Sequence, residues 1–393
     1  MLPLEDITVV SLEHAIAAPF ATRQLAELGA RVVKIERPDG GDFARGYDER
    51  VRGLASHFVW TNRSKLSLTL DLKHPEGRRI LQRLVLEQAD VLVQNLAPGA
   101  AARLGVGYDD IAKHKPAIIV CDISGYGADG PYRDKKAYDL LIQSESGFLS
   151  VTGTGQTPSK AGASIADIAA GMYAYSNILA ALIERGKTGR GRRIDVSMLE
   201  SLVEWMGYPL YYSFDGAPPP PRTGASHATI FPYGPFRAGD GKTVMLGVQN
   251  EREWMSFCDK VLRRPELGGD SRYNSNSRRL AAREELSRIV EETFAALGAA
   301  ELTARLDEAQ IANAQVNDMH AVWEHPQLSS RGRWTRVESP AGPVPALLPP
   351  GAAGADACRM SAIPRLGEHT DAILQSLGYS AERIAALRAE KAV

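Results

Sequence analysis

Two patterns of apolar and polar positions alternate along the N-terminal part of the chain. Short β-branched apolar runs, typical of buried strands, are separated by longer segments in which apolar residues recur at helical spacing. This repetition of strand, helix and strand predicts right-handed βαβ units, and therefore an α/β fold with a mostly parallel sheet and helices on its faces. The predicted strands are 7–12, 31–37, 89–95 and 117–124, and the predicted helices are 20–29 and 75–88.

The pattern turns helical from about residue 165 to 215, with a basic glycine-rich turn at 186–193. The proline-dense stretch APPPPRTGAS that follows predicts a stiff spacer. Beyond it, the strand-like segment TVMLGV and several charged helices favour a smaller α+β domain, and a pair of helices ends the chain. We therefore expect a large domain at 1–215 and 325–393, a small domain at 226–315, and linkers at 216–225 and 316–324.

Composition narrows the possible functions. The net charge of −1 gives no global electrostatic reason to bind nucleic acid or a membrane surface, so an anionic ligand would need local positive groups. The cysteines, Cys121, Cys258 and Cys358, lie far apart, which argues against a disulfide framework and fits a reducing compartment. The N-terminus lacks the basic region of a signal peptide, and no apolar run reaches about 18 residues. We expect a cytoplasmic metabolic protein with no membrane or nucleic-acid partner.

Two glycine motifs resemble phosphate-binding loops without meeting their requirements. The spacing GxGxxG occurs at Gly125, Gly127 and Gly130, but a dinucleotide site needs the last glycine inside an opening helix. Pro131 and a charged loop follow instead, which disfavours a dehydrogenase. The sequence Gly-Lys-Thr at 186–188 lacks the earlier glycine of a P-loop. The eight histidines are scattered without metal-ligand spacing, so no metal site is predicted.

Eight segments spread almost end to end along the chain carry a family resemblance. They are AAPFATRQLAELGARVVKIERPDGGD, NRSKLSLTLDLKHPEGR, ADVLVQNLAPGAAARLGVGYDDI, ISGYGADGPY, KAYDLLIQSESGF, ADIAAGMYAYSNILAALIERGKTGRGRRIDVSMLES, HPQLSSRG and PRLGEHTDAILQSLGY. In this order they are similar to the family III CoA-transferases, the group of formyl-CoA:oxalate and carnitine CoA-transferases, which also includes 2-methylacyl-CoA racemases. The resemblance implies a Rossmann-like large domain built from the N- and C-terminal parts of the chain, and an open-ring subunit that interlocks with a second copy as a homodimer.

The resemblance also implies a CoA site. Ala17, in the turn before the first helix, would lie close to the thioester, and the other matching positions would line the nucleotide. Because CoA carries several phosphate charges, the basic residues among them could supply a positive lining on a nearly neutral protein. Taken singly, each is equally compatible with a solvated surface charge. The matching positions are Ala17, Arg37, Leu70, Lys73, Asn95, Leu96, Arg103 and Lys136.

Asp167 is the candidate nucleophile. From the residues alone it is most simply a helix-capping residue, because it follows Ser164 and opens an apolar helix. The resemblance implies more, since the family's nucleophilic aspartate precedes a Gly-Met pair at the spacing reproduced by Asp167, Gly171 and Met172. The two roles are compatible, because a carboxylate at a helix N-terminus is expected to stay ionised.

The implied reaction is transfer of CoA between carboxylic acids through covalent aspartyl intermediates. An aspartate can hold an acyl group as an anhydride and CoA as a thioester, whereas a serine ester would be too stable to return CoA easily. Coenzyme A or acyl-CoA is then a substrate, and no metal or permanently bound cofactor is required. Asp139 matches a second family acid, for which positioning of CoA, an active-site hydrogen bond and a structural loop role are alternatives.

Tyr138 distinguishes two reactions on this fold. The racemases of the family place a histidine before the acid at this position, as one of two bases that exchange an α-proton. Tyrosine, with a pKa near ~10, is a poor base at neutral pH, which favours CoA transfer. A 2-methylacyl-CoA racemase or epimerase is the alternative, and a non-catalytic CoA-binding module is disfavoured because Asp167 is retained.

The acceptor acid is narrowed by the segment RTGASHATIFPYGPF. It lacks the glycine-only loop of the formyl-CoA/oxalate enzymes and resembles the branch acting on itaconate, mesaconate or related C4–C5 dicarboxylates, with succinyl-CoA as a natural donor. A second carboxylate needs a cationic or strong donor partner, and Arg222 and His227 are the nearest candidates in sequence. Both are also compatible with linker or surface positions, and the chain alone does not fix the acid or the donor.

Overall fold

The secondary structure confirms the predicted alternation of strands and helices. A computed structural model describes residues 1–393. The strands are β1 (Thr8–Leu12), β2 (Arg31–Glu36), β3 (Lys65–Thr69), β4 (Val91–Gln94), β5 (Ile119–Ser124), β6 (Arg193–Ser197), β7 (Tyr233–Arg237), β8 (Thr243–Gly247), β9 (Ala312–Gln315), β10 (Trp334–Val337) and β11 (Val344–Leu347). The helices are α1 (Ala17–Glu27), α2 (Ser56–Thr61), α3 (Pro75–Gln88), α4 (Ala100–Arg103), α5 (Tyr108–Ile111), α6 (Asp139–Glu145), α7 (Phe148–Val151), α8 (Ile165–Thr188), α9 (Met198–Trp205), α10 (Gly207–Tyr212), α11 (Glu251–Ser256), α12 (Pro265–Gly269), α13 (Asn276–Ala281), α14 (Arg283–Ala295), α15 (Ala299–Glu308), α16 (Met319–Trp323), α17 (Pro326–Ser330), α18 (Thr370–Ser376) and α19 (Ala381–Ala389).

Six strands form a parallel sheet in the order β3-β2-β1-β4-β5-β6. The central strand β1 pairs with β2 on one side, where Val9 faces Val32, and with β4 on the other, where Val9 faces Val91. The chain therefore builds outward from β1 in one direction and afterwards from β4 in the other. The carboxyl ends of β1 and β4 flank the switch point of this doubly wound sheet, where such sheets bind their ligands.

The two faces of this sheet differ in chemistry over β1 to β3. On one face, Val10, Leu12 and Val33 belong to an apolar core that helices α3, α18 and α19 complete. The alternate side chains point to the opposite face, as strand geometry requires. Those side chains are polar and nevertheless buried: Ser11, Glu13, Lys34, Glu36, Lys65 and Ser67. Buried polar groups need internal partners: Glu13 pairs with Lys34 and Lys65, and Glu36 pairs with Arg45 and accepts from Ser67.

The first of two compact units of the chain contains the parallel sheet. It comprises residues 1–147, 161–207 and 326–393, so N- and C-terminal segments belong to one unit. The antiparallel pair β10–β11 adds a small apolar cluster in which Val337 and Val344 contact Phe58.

The second unit comprises residues 148–160 and 208–325, and it contains the predicted small domain and both predicted linkers. Its three strands form an antiparallel sheet in the order β7-β8-β9. Helices pack with this sheet around the buried aromatic side chains of Trp254, Phe257 and Phe294. The predicted homodimer stays a prediction, since the structure is that of a single chain.

Helix α8 is longer than the sequence predicted. It continues through the first part of the predicted glycine-rich turn and ends at Gly189, whose φ of +70° closes the helix in a left-handed conformation. By length and composition it is able to cross a membrane, which corrects the expectation that no apolar run of that size exists. The core helix of a folded domain meets the same criteria, and α8 packs along α1 and against β5 within the first unit.

Candidate active site

The predicted site residues follow the carboxyl ends of five neighbouring strands. Ala17 follows β1, Arg37 follows β2, Leu70 and Lys73 follow β3, Asn95 and Leu96 follow β4, and Lys136, Tyr138 and Asp139 follow β5. Because the carboxyl ends of parallel strands share one edge, the topology gathers these positions on both sides of the switch point. The predicted site residues therefore share the edge at which doubly wound sheets bind their ligands, and their role in binding CoA stays a prediction.

The turn between β1 and α1 is strained and firmly held. Ala15 has a φ of +61°, a left-handed conformation that alanine rarely adopts. The side-chain amide of Asn95 accepts from the N–H of His14 and donates to its carbonyl, at 2.9 Å each. A carboxylate oxygen of Asp42 accepts from the N–H of Ala15 at 3.2 Å. These contacts set the direction of the backbone amide of Ala17, the first residue of α1.

Asp167 lies in the first turn of α8 and faces the beginning of α1. The backbone amide of Ala17 is directed at its carboxylate and lowers its pKa. This approach depends on Gly171, one turn further along α8, where a Cβ would lie 2.8 Å from the Ala17 carbonyl oxygen and 2.9 Å from the Phe20 ring. Glycine at this position lets the two helices touch where the amide meets the carboxylate. The spacing between Asp167 and Gly171 therefore has a packing reason.

The pKa of Asp167 is raised to about 7. Burial is the main cause, the negative charge of Asp139 adds to it, and the hydrogen bond from Ala17 opposes both. This corrects the expectation that the helix N-terminus keeps the carboxylate fully ionised. Amides that would stabilise the anion already have an acceptor, because Asp139 accepts hydrogen bonds from the N–H groups of Ala166 at 2.8 Å and Asp167 at 3.3 Å. At neutral pH, Asp167 is ionised in only a fraction of the molecules.

Asp139 caps α8 although it belongs to α6. Its second carboxylate oxygen accepts from the side-chain amide of Gln143 at 2.6 Å, and Gln143 accepts from the N–H of Ala161 at 2.9 Å. These contacts join the first turn of α6 to the segment that leads into α8. Among the alternatives for Asp139, the geometry favours a hydrogen-bonding role that positions the first turn of α8 and the candidate nucleophile Asp167.

We expect Asp139→Asn to move the acid limb of the pH profile of kcat/KM to lower pH. If Asp167 is the nucleophile, attack needs its ionised form, so activity should fall as the pH drops through about 7. Asparagine still accepts from the α8 amides but lacks the charge that raises the pKa of Asp167, so the loss in kcat should stay below about tenfold. Glu145→Gln, which removes one negative charge from the same helix, should leave the limb in place. If the acid limb of Asp139→Asn stays at the same pH or moves to higher pH, the charge of Asp139 does not raise the pKa of Asp167.

Two exposed tyrosines stand near Asp167. Burial raises the pKa of Tyr47 to about 12, with contributions from the charges of Asp42 and Asp167 and from Tyr138. The Tyr138 side chain is 69% exposed. Tyr47 therefore stays a neutral phenol at physiological pH and can only donate or accept a hydrogen bond. No sequence pattern pointed to Tyr47, which lies in a loop and reaches the site through the fold.

The predicted nucleotide-binding positions differ in their accessibility. Leu70 is fully buried in the apolar core, so its side chain has no surface to offer an adenine ring. Leu70 could line a nucleotide only through its backbone, and its place in the CoA site stays a prediction. Leu96 and Arg103 line a cavity of about 580 Å³ at the ends of β4 and β5. The exposed basic positions are Arg37, Lys73, Arg103 and Lys136.

Arg222 and His227 lie in the second unit and already have backbone partners. The guanidinium of Arg222 donates to the carbonyls of Thr154 at 2.9 Å, Gly155 at 3.2 Å and Ser150 at 3.4 Å. Two of its five N–H donors remain for a ligand. The Nδ1 atom of His227 accepts from the N–H of Thr229 at 3.2 Å, which places the proton of the neutral ring on Nε2, where it can be donated.

A carboxylate held against a helix N-terminus beside the switch point of a doubly wound sheet is suited to covalent group transfer. The family model described as CoA-transferase family III matches residues 4–370. The chain belongs to the family III CoA-transferases and is a transferase enzyme that uses acyl-CoA and carboxylic acids as substrates.

Named relatives and solved structures agree with this assignment. The chain is 34% identical to the human succinyl-CoA:glutarate CoA-transferase, over 95% of this chain and 86% of the relative. It is 33% identical to the succinyl-CoA:mesaconate CoA-transferase of Haloarcula hispanica, over 86% of each protein. A crystal structure of a CaiB/BaiF family protein from Brucella suis shares 32% of the sequence with a TM-score of 0.83, covering 96% of this chain and 99% of that one.

Proposed function

We propose that this enzyme moves CoA from succinyl-CoA to a C4–C5 dicarboxylic acid through an aspartyl-CoA thioester on Asp167. The observation that carries the proposal is the half-buried carboxylate of Asp167 under the Ala17 amide. The sequence favours itaconate or mesaconate as the acceptor, and the names of the relatives add glutarate to the same size class. All of these acids have two carboxylates separated by a short carbon chain.

The reaction proceeds in four displacements. Ionised Asp167 attacks the thioester carbonyl, so that the C–S bond breaks and a succinyl-aspartyl anhydride and CoA thiolate form. The thiolate attacks the aspartyl carbonyl and releases succinate, which leaves an aspartyl-CoA thioester. The acceptor carboxylate attacks this thioester and again expels the thiolate. The thiolate then attacks the acyl carbon, which yields the new acyl-CoA and restores the Asp167 carboxylate.

The Ala17 amide has a different task at each stage. It orients the carboxylate for attack, and once Asp167 is acylated the same N–H faces the aspartyl carbonyl oxygen, which becomes negative in the second and third displacements, when the thiolate and then the acceptor carboxylate attack the aspartyl carbon. The pKa of about 7 makes the carboxylate a stronger nucleophile than an ordinary aspartate while leaving a useful ionised fraction at neutral pH. Tyr47 and Tyr138 add neutral hydrogen-bonding groups beside it.

The test compares kcat/KM for itaconate, mesaconate and glutarate with that for the monocarboxylates butyrate and methacrylate, using succinyl-CoA as donor. A charge-assisted contact to the second carboxylate contributes about 1.5–3 kcal/mol, so the diacids should be preferred by roughly ten- to a hundredfold. Arg222→Ala and His227→Ala should narrow this preference. Arg288→Ala, which removes another exposed arginine of the second unit, should leave it unchanged.

Each possible outcome tests a different part of the proposal. Equal rates with monocarboxylates or oxalate would remove the dicarboxylate claim. A diacid preference that neither variant changes would exclude Arg222 and His227 as carboxylate partners. Exchange of an α-proton with deuterated water, without CoA exchange between acids, would identify a racemase instead.

A further inference from the structure

A buried network of charges lies beneath the strained turn, on the polar face of the sheet. Glu13, Lys34 and Lys65 expose at most 2% of their surface. Lys34 Nζ lies 2.7 Å from a carboxylate oxygen of Asp42 and 3.4 Å from Glu13 Oε1. Lys65 Nζ lies 2.6 Å from the same Glu13 oxygen. The four groups form one chain, Asp42–Lys34–Glu13–Lys65, in which burial lowers the pKa of Lys65 to about 7 against the opposing charge of Glu13.

Both ends of this chain touch the backbone of the turn and of α1. At one end, Asp42 accepts from the N–H of Ala15 at 3.2 Å. At the other, Lys65 donates to the carbonyl of Pro19, in the first turn of α1, at 2.9 Å. The two backbone contacts flank Ala17. The network therefore holds the backbone on each side of the amide that meets Asp167.

The part of the network formed by Glu13 and Lys65 is fully hydrogen-bonded. Lys65 Nζ has a third acceptor in the side-chain oxygen of Asn62 at 3.2 Å, so its three N–H donors match three acceptors. Thr22, on α1, donates to the second oxygen of Glu13 at 2.6 Å. Burial favours the neutral acid, but the charges of Lys65 and Lys34 lower the pKa of Glu13 below its usual value, so this carboxylate is ionised.

Stability alone gives no good reason for such a network. Buried ion pairs lose solvation, and well-packed apolar residues of similar volume are often as stabilising or more so. What apolar residues lack is direction, because they cannot hold an N–H and a carbonyl at fixed angles. Directed bonds are needed here, since Ala15 is in a left-handed conformation that the chain would otherwise leave.

We propose that the network Asp42–Lys34–Glu13–Lys65 is a positioning device that fixes the Ala17 amide on Asp167 and on the oxyanions formed there. The proposal rests on the proposed function, because the amide matters only if Asp167 is the nucleophile. None of the four residues acts on the substrate. They act through the turn between β1 and α1, which they keep in its strained conformation while substrates bind and products leave.

The decisive experiment measures kcat, KM and the pH profile for exchange of labelled succinate with succinyl-CoA, which requires no knowledge of the acceptor. Lys65→Met and Glu13→Gln should lower kcat at least about tenfold with KM for succinyl-CoA changed less than about threefold, since displacing a catalytic amide costs rate more than binding. Ala15→Gly, which accepts the left-handed turn without strain, should keep kcat near that of the wild type while keeping or raising Tm.

The pH profile separates positioning from general destabilisation. The Ala17 hydrogen bond lowers the pKa of Asp167 against the effects of burial and Asp139, so its loss should move the acid limb of kcat/KM to higher pH. The other ionisable groups near Asp167, Tyr47 and Tyr138, are unchanged in these variants. A limb that moves upward together with lower kcat is the expected result.

Glu27→Gln is the matched control. Glu27 is equally buried on the same helix and pairs with Arg23 at 3.3 Å and with Arg63, at the end of α1 away from the turn. It should lower Tm but leave kcat and the acid limb unchanged. If folded Lys65→Met and Glu13→Gln keep wild-type kcat and pH profile, or if Glu27→Gln matches these two variants, the positioning role is wrong. If the wild type itself does not exchange succinate, the proposed function fails instead.

Discussion

The Asp167→Ala variant is expected to lose CoA exchange by a factor of about 10⁴ or more while keeping its fold. Removal of an essential covalent group leaves no alternative nucleophile, because water cannot return CoA to an acid. The rate of exchange between succinyl-CoA and labelled succinate measures the loss. Residual exchange above about one percent of wild type would refute the assignment of Asp167 as the nucleophile.

Asp167→Asn supplies the control for folding, with an effect on stability of its own. The folded-state pKa of about 7 lies above the usual value for aspartate, so ionisation destabilises the native state from about pH 4 upward, fully above pH 7. A neutral asparagine avoids this cost. We expect Asp167→Asn to be inactive yet more stable than wild type at pH 8, by on the order of 1–3 kcal/mol, with no gain at pH 4. Lower stability at pH 8 would contradict the raised pKa.

Gly171→Ala is expected to lower kcat by about ten- to a hundredfold and to lower Tm. The added Cβ would lie 2.8 Å from the Ala17 carbonyl oxygen, so α1 and α8 must separate or shift at their contact. A displacement of well under one ångström between the amide and Asp167 is enough to cost this much rate. Steady-state kinetics and thermal denaturation of the purified variant measure both effects.

The matched control for Gly171→Ala lies on the same helix. Gly186 has no atoms within 4 Å of the position that a Cβ would take. Gly186→Ala should therefore keep wild-type kcat and stabilise the helix by about 0.5–1 kcal/mol, because alanine restricts the unfolded chain more than glycine does. Equal losses of activity in both variants would mean that helix propensity, not the contact with Ala17, controls the site.

The sequence predicted those strands and helices whose apolar residues follow one regular pattern, because each of them buries its side chains in an apolar core. Strands β1, β2, β4 and β5 are apolar runs, and their helices carry one apolar stripe, so local pattern was sufficient. Strand β3 lies outside the predicted strands, although Lys65 and Ser67 alternate with leucines in a pattern typical of a half-buried strand. Such alternation normally indicates a solvent-facing strand, whereas here both side chains are buried against partners from distant segments.

The sequence indicated which residues form the candidate site. The pKa of Asp167 depends on tertiary contacts that the sequence does not show. Asp167 and Gly171 were identified through the family resemblance. The position of Asp167 in the first turn of α8 did not predict its raised pKa. The backbone amides of Ala166 and Asp167 donate their hydrogen bonds to Asp139, which belongs to a different helix, α6. The resemblance assigned Leu70 to a ligand wall, but the burial of its side chain depends on tertiary contacts that the sequence does not show.

The discontinuous large unit also affects how the chain can fold during synthesis. The apolar face of the sheet is covered in part by α18 and α19, and the N–H of Asp71, after β3, bonds the carbonyl of Ala392 at 2.9 Å. While a ribosome makes the chain, strands β1 to β6 emerge long before these partners exist. Until residues 370–392 have left the exit tunnel, that face has an uncovered apolar surface, and a nascent chain would need protection from aggregation.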